Sequence, residues 1–99
     1  VAYFEEAILQ LARGKPDLEY ILVAGGGING LDASGAETLS GLVERLRANG
    51  VVLVFSGLKL QVIEAIQRTG LYEKIGAGNI FRTENAAVAA LQEKLSAER

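Results

Sequence analysis

The sequence predicts an α/β domain in which mainly parallel strands form one sheet and about four helices cover it. Three observations point there. Two apolar runs, Leu18–Ala24 and Val51–Phe55, are too short for helices and rich in Ile, Leu and Val, like the buried strands of a parallel sheet. Segments of helical period flank and separate them. The resulting order, α-β-α-β-α-β-α, implies parallel pairing through right-handed crossovers. With 99 residues, 49% of them apolar, the chain is expected to form a single domain with a modest core.

Phe4, Ala7, Ile8, Leu11 and Ala12 recur at i, i+3 and i+4 and predict a first helix with one buried face, which Gly14-Lys15-Pro16-Asp17 ends. Leu18–Ala24 follows as a central strand, stopped by three glycines. Ala36, Leu39, Leu42, Val43 and Leu46 restore the helical period and predict a helix over 35–49. Its outer side carries Glu37, Glu44, Arg45 and Arg47, and Asn49-Gly50 stops it. Val51–Phe55 is the second strand, leading through Ser56-Gly57 into a helix with Val62, Ile63 and Ile66 inward and Thr69-Gly70 at its end. Leu71–Ile75 reads as a helical turn and Asn79–Arg82 as a short strand. Thr83 reads as the cap of a final helix that buries Ala87, Leu91 and Leu95. The continuous apolar runs imply strands covered on both faces.

Composition removes several function classes. Ten basic against 12 acidic residues give a net charge of -2, which argues against nucleic acid or an anionic membrane surface as the main partner. The absence of Cys and His excludes disulfides, thiol nucleophiles, zinc sites of nitrogen and sulfur ligands, and imidazole-based triads. No apolar run approaches the roughly 20 residues of a membrane helix, and no basic-then-apolar signal segment opens the chain. This segment is therefore expected to be soluble and not to enter a membrane itself. It contains no Met and starts directly on a helical pattern, as expected of a piece of a longer protein.

Parallel strands place their carboxyl ends on one edge, where ligands of such sheets gather. That edge should collect Asn29, Asp32 and Ser34 from the first connection, Ser56 and Lys59 from the second, and Arg82 and Thr83 from the third. Gly25-Gly26-Gly27-Ile28-Asn29-Gly30 matches the dinucleotide fingerprint G-x-G-x-x-G, with glycines where a pyrophosphate needs close backbone approach. Its partners are missing. Phe55-Ser56 stands where a ribose-binding acid should end the next strand, and no Gly-Lys-Ser/Thr follows the glycines. The alternative is a turn that uses glycine to reach positive φ. Ser34-Gly35-Ala36-Glu37 has the spacing of a capping box, which predicts Ser34 as the N-cap of the helix over 35–49. A phosphate on such a serine would meet free N–H groups and the positive end of the helix dipole. Asp32 reads as a local acceptor for backbone N–H groups. Lys59 and Arg82 could hold an anion or simply be solvated. The acid or base groups on this edge are Asp32, Glu37 and Lys59, none paired with a nucleophile, so the sequence predicts neither an enzyme nor a cofactor.

From Ile28 to Gly35 the chain reads I-N-G-L-D-A-S-G, which resembles the STAS domain signature, where a hydrophobic position and an intervening pair lead into Asp-Ser/Thr-Ser-Gly at a helix start. Gly50–Phe55, Val62-Ile63-Glu64 through Thr69-Gly70-Leu71, and Ile80-Phe81-Arg82-Thr83 with Ala86 are similar to later parts of that family. The resemblance implies a STAS-like sheet with helices mainly on one face. It also implies one or two N-terminal strands before the first helix, which this chain lacks. Family members divide into cytoplasmic C-terminal domains of SulP-type anion transporters, such as sulfate permeases, and free-standing anti-sigma factor antagonists. Tyr3-Phe4-Glu5-Glu6-Ala7-Ile8 and Asn79–Ala87 look more like the first group. In the second, a kinase phosphorylates the serine corresponding to Ser34. The resemblance thus implies a regulatory domain whose partner is another protein or its own transporter's membrane part. Asn29, Asp32, Ser34 and Gly35 would face that partner. Because some STAS domains bind nucleotides, it also implies a weak nucleotide or anion site at Gly25, Gly26, Gly27, Gly30 and Lys59.

Overall fold

The structure, a computed structural model, describes residues 2–97, with side chains from Phe4 onward; the side chain of Tyr3 in the opening motif lies outside them. The elements are α1 (Ala2–Gly14), β1 (Tyr20–Ala24), a 3₁₀ turn (Gly25–Gly27), α2 (Ala33–Ala48), β2 (Val52–Ser56), α3 (Leu60–Arg68), the one-turn α4 (Leu71–Ile75), a second 3₁₀ turn (Ala77–Asn79), β3 (Ile80–Phe81) and α5 (Glu84–Ala97). The strands lie in the order β1-β2-β3, all parallel. Tyr20 pairs with Val52 through to Ala24 with Ser56, and Phe55 and Ser56 pair with Ile80 and Phe81. The carboxyl ends therefore share one edge, as the alternating order required.

Side chains alternate across a strand. Ile21, Val23, Leu53 and Phe55 consequently share one face, where they form one cluster with Ile8 of α1, Leu39, Leu42, Val43 and Leu46 of α2, Val62 and Ile66 of α3, and Leu71 and Ile75 of α4. Val54 points the other way and is fully buried, as is Ala87 of α5, the helix that lies against all three strands. The two expectations about cover are thus reconciled. Helices crowd one face, and α5 packs on the other.

Two details of that cover depart from the sequence reading. On α1 the buried stripe is Ile8 flanked by Phe4, Leu9 and Ala12, while Ala7 is exposed and Leu11 is 49% exposed. The helix touches α2 along a stripe narrower than its apolar sector, so its rotation leaves one side of that sector in water. On α5 only Ala87 is fully buried, and Leu91 and Leu95 are half-buried. Fourteen helical residues span about 21 Å, whereas the five residues of β2 span about 17 Å. The helix is thus longer than the strand it packs on, and its second half buries less.

The helix stops follow their glycines. Asn49 ends α2 before Gly50 at φ 79, and Thr69 ends α3 before Gly70 at φ 78, left-handed values that a side chain would strain. Arg47, expected on a solvated face, instead donates to the carbonyl oxygens of Lys74 (2.8 Å) and Ile75 (3.3 Å) and so ties the end of α2 to α4. A 2.7 Å ion pair between Lys74 and Glu44 lies across the same junction.

Candidate functional site

The first connection leaves β1 at Ala24 and reaches α2 at Asp32. The Asp32 backbone is extended (φ -88, ψ 176), its carbonyl accepts the first helical bond from the N–H of Ala36 (2.9 Å), and its side-chain Oδ1 accepts from the N–H of Gly35 (2.7 Å). Asp32 is thus the N-cap, and its carboxylate stands at the positive end of the helix dipole. This corrects the capping-box reading of Ser34. The helix begins at Ala33, two residues earlier than the box required, so Ser34 is already its second residue and is exposed. Both residue types cap well. The carboxylate adds a charge that the dipole favours, and Gly35 leaves little room beside it. A Cβ there would stand 3.2 Å from Asp32 Oδ1 and from Leu31 Cδ1.

The triple glycine has a packing role different from the one expected. None of Gly25, Gly26 and Gly27 has positive φ; they form a 3₁₀ turn closed by a bond from the N–H of Ile28 to the carbonyl of Gly25 (3.0 Å). Gly25 is buried against the second connection. A Cβ on it would lie 2.5 Å from Leu58 Cδ2 and 2.9 Å from the backbone oxygen of Ser56. The glycine therefore brings the ends of β1 and β2 together. No such contact surrounds Gly26, Gly27 or Gly30, which are exposed.

Lys59 bridges the two connections by donating its Nζ proton to Asn29 Oδ1. Thr83 caps α5, accepting from the N–H of Ala86 (3.1 Å), as its position predicted. Arg82 is exposed, and Ser56 is buried at the end of β2. The edge thus gathers the residues that the parallel order assigned to it, and its first and second connections are joined by packing at Gly25 and by the Lys59–Asn29 bond.

Beside this edge a cleft of about 330 Å³ opens between α1, the segment from Gly27 to Leu31 and the first half of α2. Phe4, Ile28, Leu31, Leu39 and Phe55 give it an apolar wall, and Glu5, Asn29 and Thr38 supply polar groups. A second, shallower recess adjoins it at Gly30, Leu31, Asp32 and Gly35. The sequence reading missed the contribution of α1, because Phe4 read as an ordinary core position and Glu5 carried no local signal of a site. Nothing in their spacing marks a cleft, which arises only where α1 leans on α2.

The chain matches the model of the STAS domain family over residues 1–87. It belongs to that family. Over 95 residues, 95% of the chain, this STAS domain is 28% identical to a probable sulfate transporter 3.5 of Arabidopsis thaliana, and it spans 15% of that protein's length. Its fold is that of the STAS domain of a SulP transporter from Vibrio cholerae. The two superpose with a TM-score of 0.80 at 17% identity, covering 96% of this chain and 77% of the other. The resemblance that Asp32-Ala33-Ser34-Gly35 suggested therefore extends across almost the whole chain. The segment that resembles the family's signature holds the Asp32 cap, the exposed Ser34 and the closely packed Gly35.

Proposed function

We propose that this STAS domain is a non-enzymatic regulatory module on the cytoplasmic side of a SulP-type anion transporter, forming one domain of a longer protein. Its proposed partner is the transporter's membrane part or another protein. The observation that carries this reading is the similarity to a sulfate transporter along 95% of the chain. The contact surface would be the carboxyl edge, where Asn29, Asp32 and Ser34 are exposed and an apolar cleft adjoins them. That combination of apolar wall and polar rim suits a protein contact. Nucleotide binding at Gly25–Gly30 is less favoured. An arriving phosphate would have to take Lys59 from Asn29, and it would meet the Asp32 carboxylate at the start of α2.

The test is anion uptake by cells that express the parent protein intact, without residues 2–97, or with Ser34→Asp. The proposal expects uptake to fall on deletion and to change with Ser34→Asp while the protein still reaches the membrane. A parent sequence without long apolar segments would overturn it.

A second reading, a free-standing antagonist switched by phosphorylation, is favoured by one observation. Because Asp32 performs the capping, Ser34 is exposed in the first turn and its hydroxyl is not required as the helix cap. Phosphate there would add about two negative charges beside Asp32. Kinase-dependent phosphate on Ser34 in a parent without membrane segments would establish this reading, and an unmodified Ser34 would remove it.

A further inference from the structure

At the opposite end of the sheet a second cleft, of about 420 Å³, lies between the C-terminal ends of α1 and α2. Its charged lining is Arg13, Lys15 and Arg45, and among the described residues no carboxylate lines it, although the chain carries 12 acids against 10 bases. All three side chains are exposed. Among the described residues none of the three forms an ion pair; the pair that does form joins Lys74 to Glu44 elsewhere. Asp17 is in the adjoining turn but does not line the cleft.

Helix C-termini attract cations, which accounts for part of this arrangement. The magnitudes leave a remainder. Each helix end carries about half a negative charge, so two ends offset about one of the three cations and leave roughly two positive charges. The frame that presents them is fixed. Pro16 stiffens the turn, which closes with a bond from the N–H of Leu18 to the carbonyl of Lys15 (3.0 Å), and the Asn49 amide donates to the carbonyl of Arg45 (2.8 Å).

We propose that this cleft binds a phosphate group, either on a small phosphorylated molecule or in an anionic phospholipid headgroup. Two guanidinium groups on different helices and one ammonium match a tetrahedral oxyanion, because guanidinium offers paired donors and lysine a mobile point charge. The volume exceeds that of phosphate alone. The apolar wall of Leu9, Ala12, Leu46 and Val51 leaves room for what the phosphate is attached to. The site is separate from the family's signature at the other end of the sheet, and it does not depend on the transporter reading.

The experiment titrates inorganic phosphate into the 99-residue chain at low salt, followed by amide NMR. The variants are Arg13→Gln, Lys15→Gln and Arg45→Gln, with Arg82→Gln as a control at the carboxyl edge. Saturable shifts confined to residues 13–18 and 45–51 are expected. Each neutralised cation of the cleft should weaken binding about tenfold, the worth of one hydrogen bond to a charged group, and the control should not. Co-sedimentation with vesicles of phosphatidylcholine, with or without phosphatidylglycerol, distinguishes the source. Capture that needs phosphatidylglycerol and is lost with Arg13→Gln indicates a headgroup, whereas phosphate shifts without capture indicate a soluble ligand. Absent shifts, shifts centred on Gly25–Gly35, or vesicle capture without phosphate shifts would each overturn the proposal. Thermal denaturation of the same variants, whose substituted side chains are exposed, separates lost binding from lost folding.

Discussion

The two ends of the sheet are built by different forces. At the carboxyl end, chain segments pack at contact distance. Gly25 admits no Cβ, Phe55 is completely buried beneath the adjoining cleft, Asp32 is spent on the Gly35 N–H and Lys59 on Asn29. At the amino end, three cations border an open cleft with no carboxylate among the described residues of its lining. The difference teaches that sequence signals of one kind, glycines and charges beside helix ends, acquire opposite meanings from what packs against them. The G-x-G-x-x-G segment resembles a phosphate cradle, yet its buried glycine is used to close two connections on each other.

If the carboxyl end is held by packing, changes of volume should hurt there first. Phe55→Ala empties the space between the cleft and the core and should cost about 3–5 kcal/mol, measured by chemical denaturation. A cost below about 1 kcal/mol would mean that this end already yields like the amino end. Gly25→Ala should follow at about 1–3 kcal/mol, because the added methyl meets Leu58 and a backbone oxygen, of which only the first can move. Gly26→Ala, with open space around it, is the matched control and should cost much less.

The smallest effects concern the cap and sharpen the contrast between Asp32 and Ser34. Asp32→Ala should cost about 1 kcal/mol, the usual worth of an N-cap. Ser34→Ala should stay within about 0.5 kcal/mol, as expected of an exposed position away from such a feature. The reverse order in denaturation would reinstate Ser34 as the cap.

Much of this was legible in the sequence. The apolar runs, the helical period of Ala36, Leu39, Leu42, Val43 and Leu46, and the glycine stops at Gly50 and Gly70 are local signals, and local signals determine the kind and order of elements. The I-N-G-L-D-A-S-G segment led to the family for the same reason. The signal for the cap was ambiguous at that level. Asp32 and Ser34 are both favoured caps two residues apart, and the choice depended on where the backbone turned from extended to helical.

By itself, then, the sequence determined the α/β order, the parallel edge and its inhabitants, and the family, because each follows from periodicity or from a contiguous motif. Only the tertiary structure decided which apolar side of α1 is wet, that Arg47 serves α4, that Gly25 is a contact point, that Lys59 answers Asn29, and that Arg13, Lys15 and Arg45 share a cleft. Those facts join residues about 30 positions apart. No local pattern specifies such a distance, which is set by how the helices lean on the sheet and on one another.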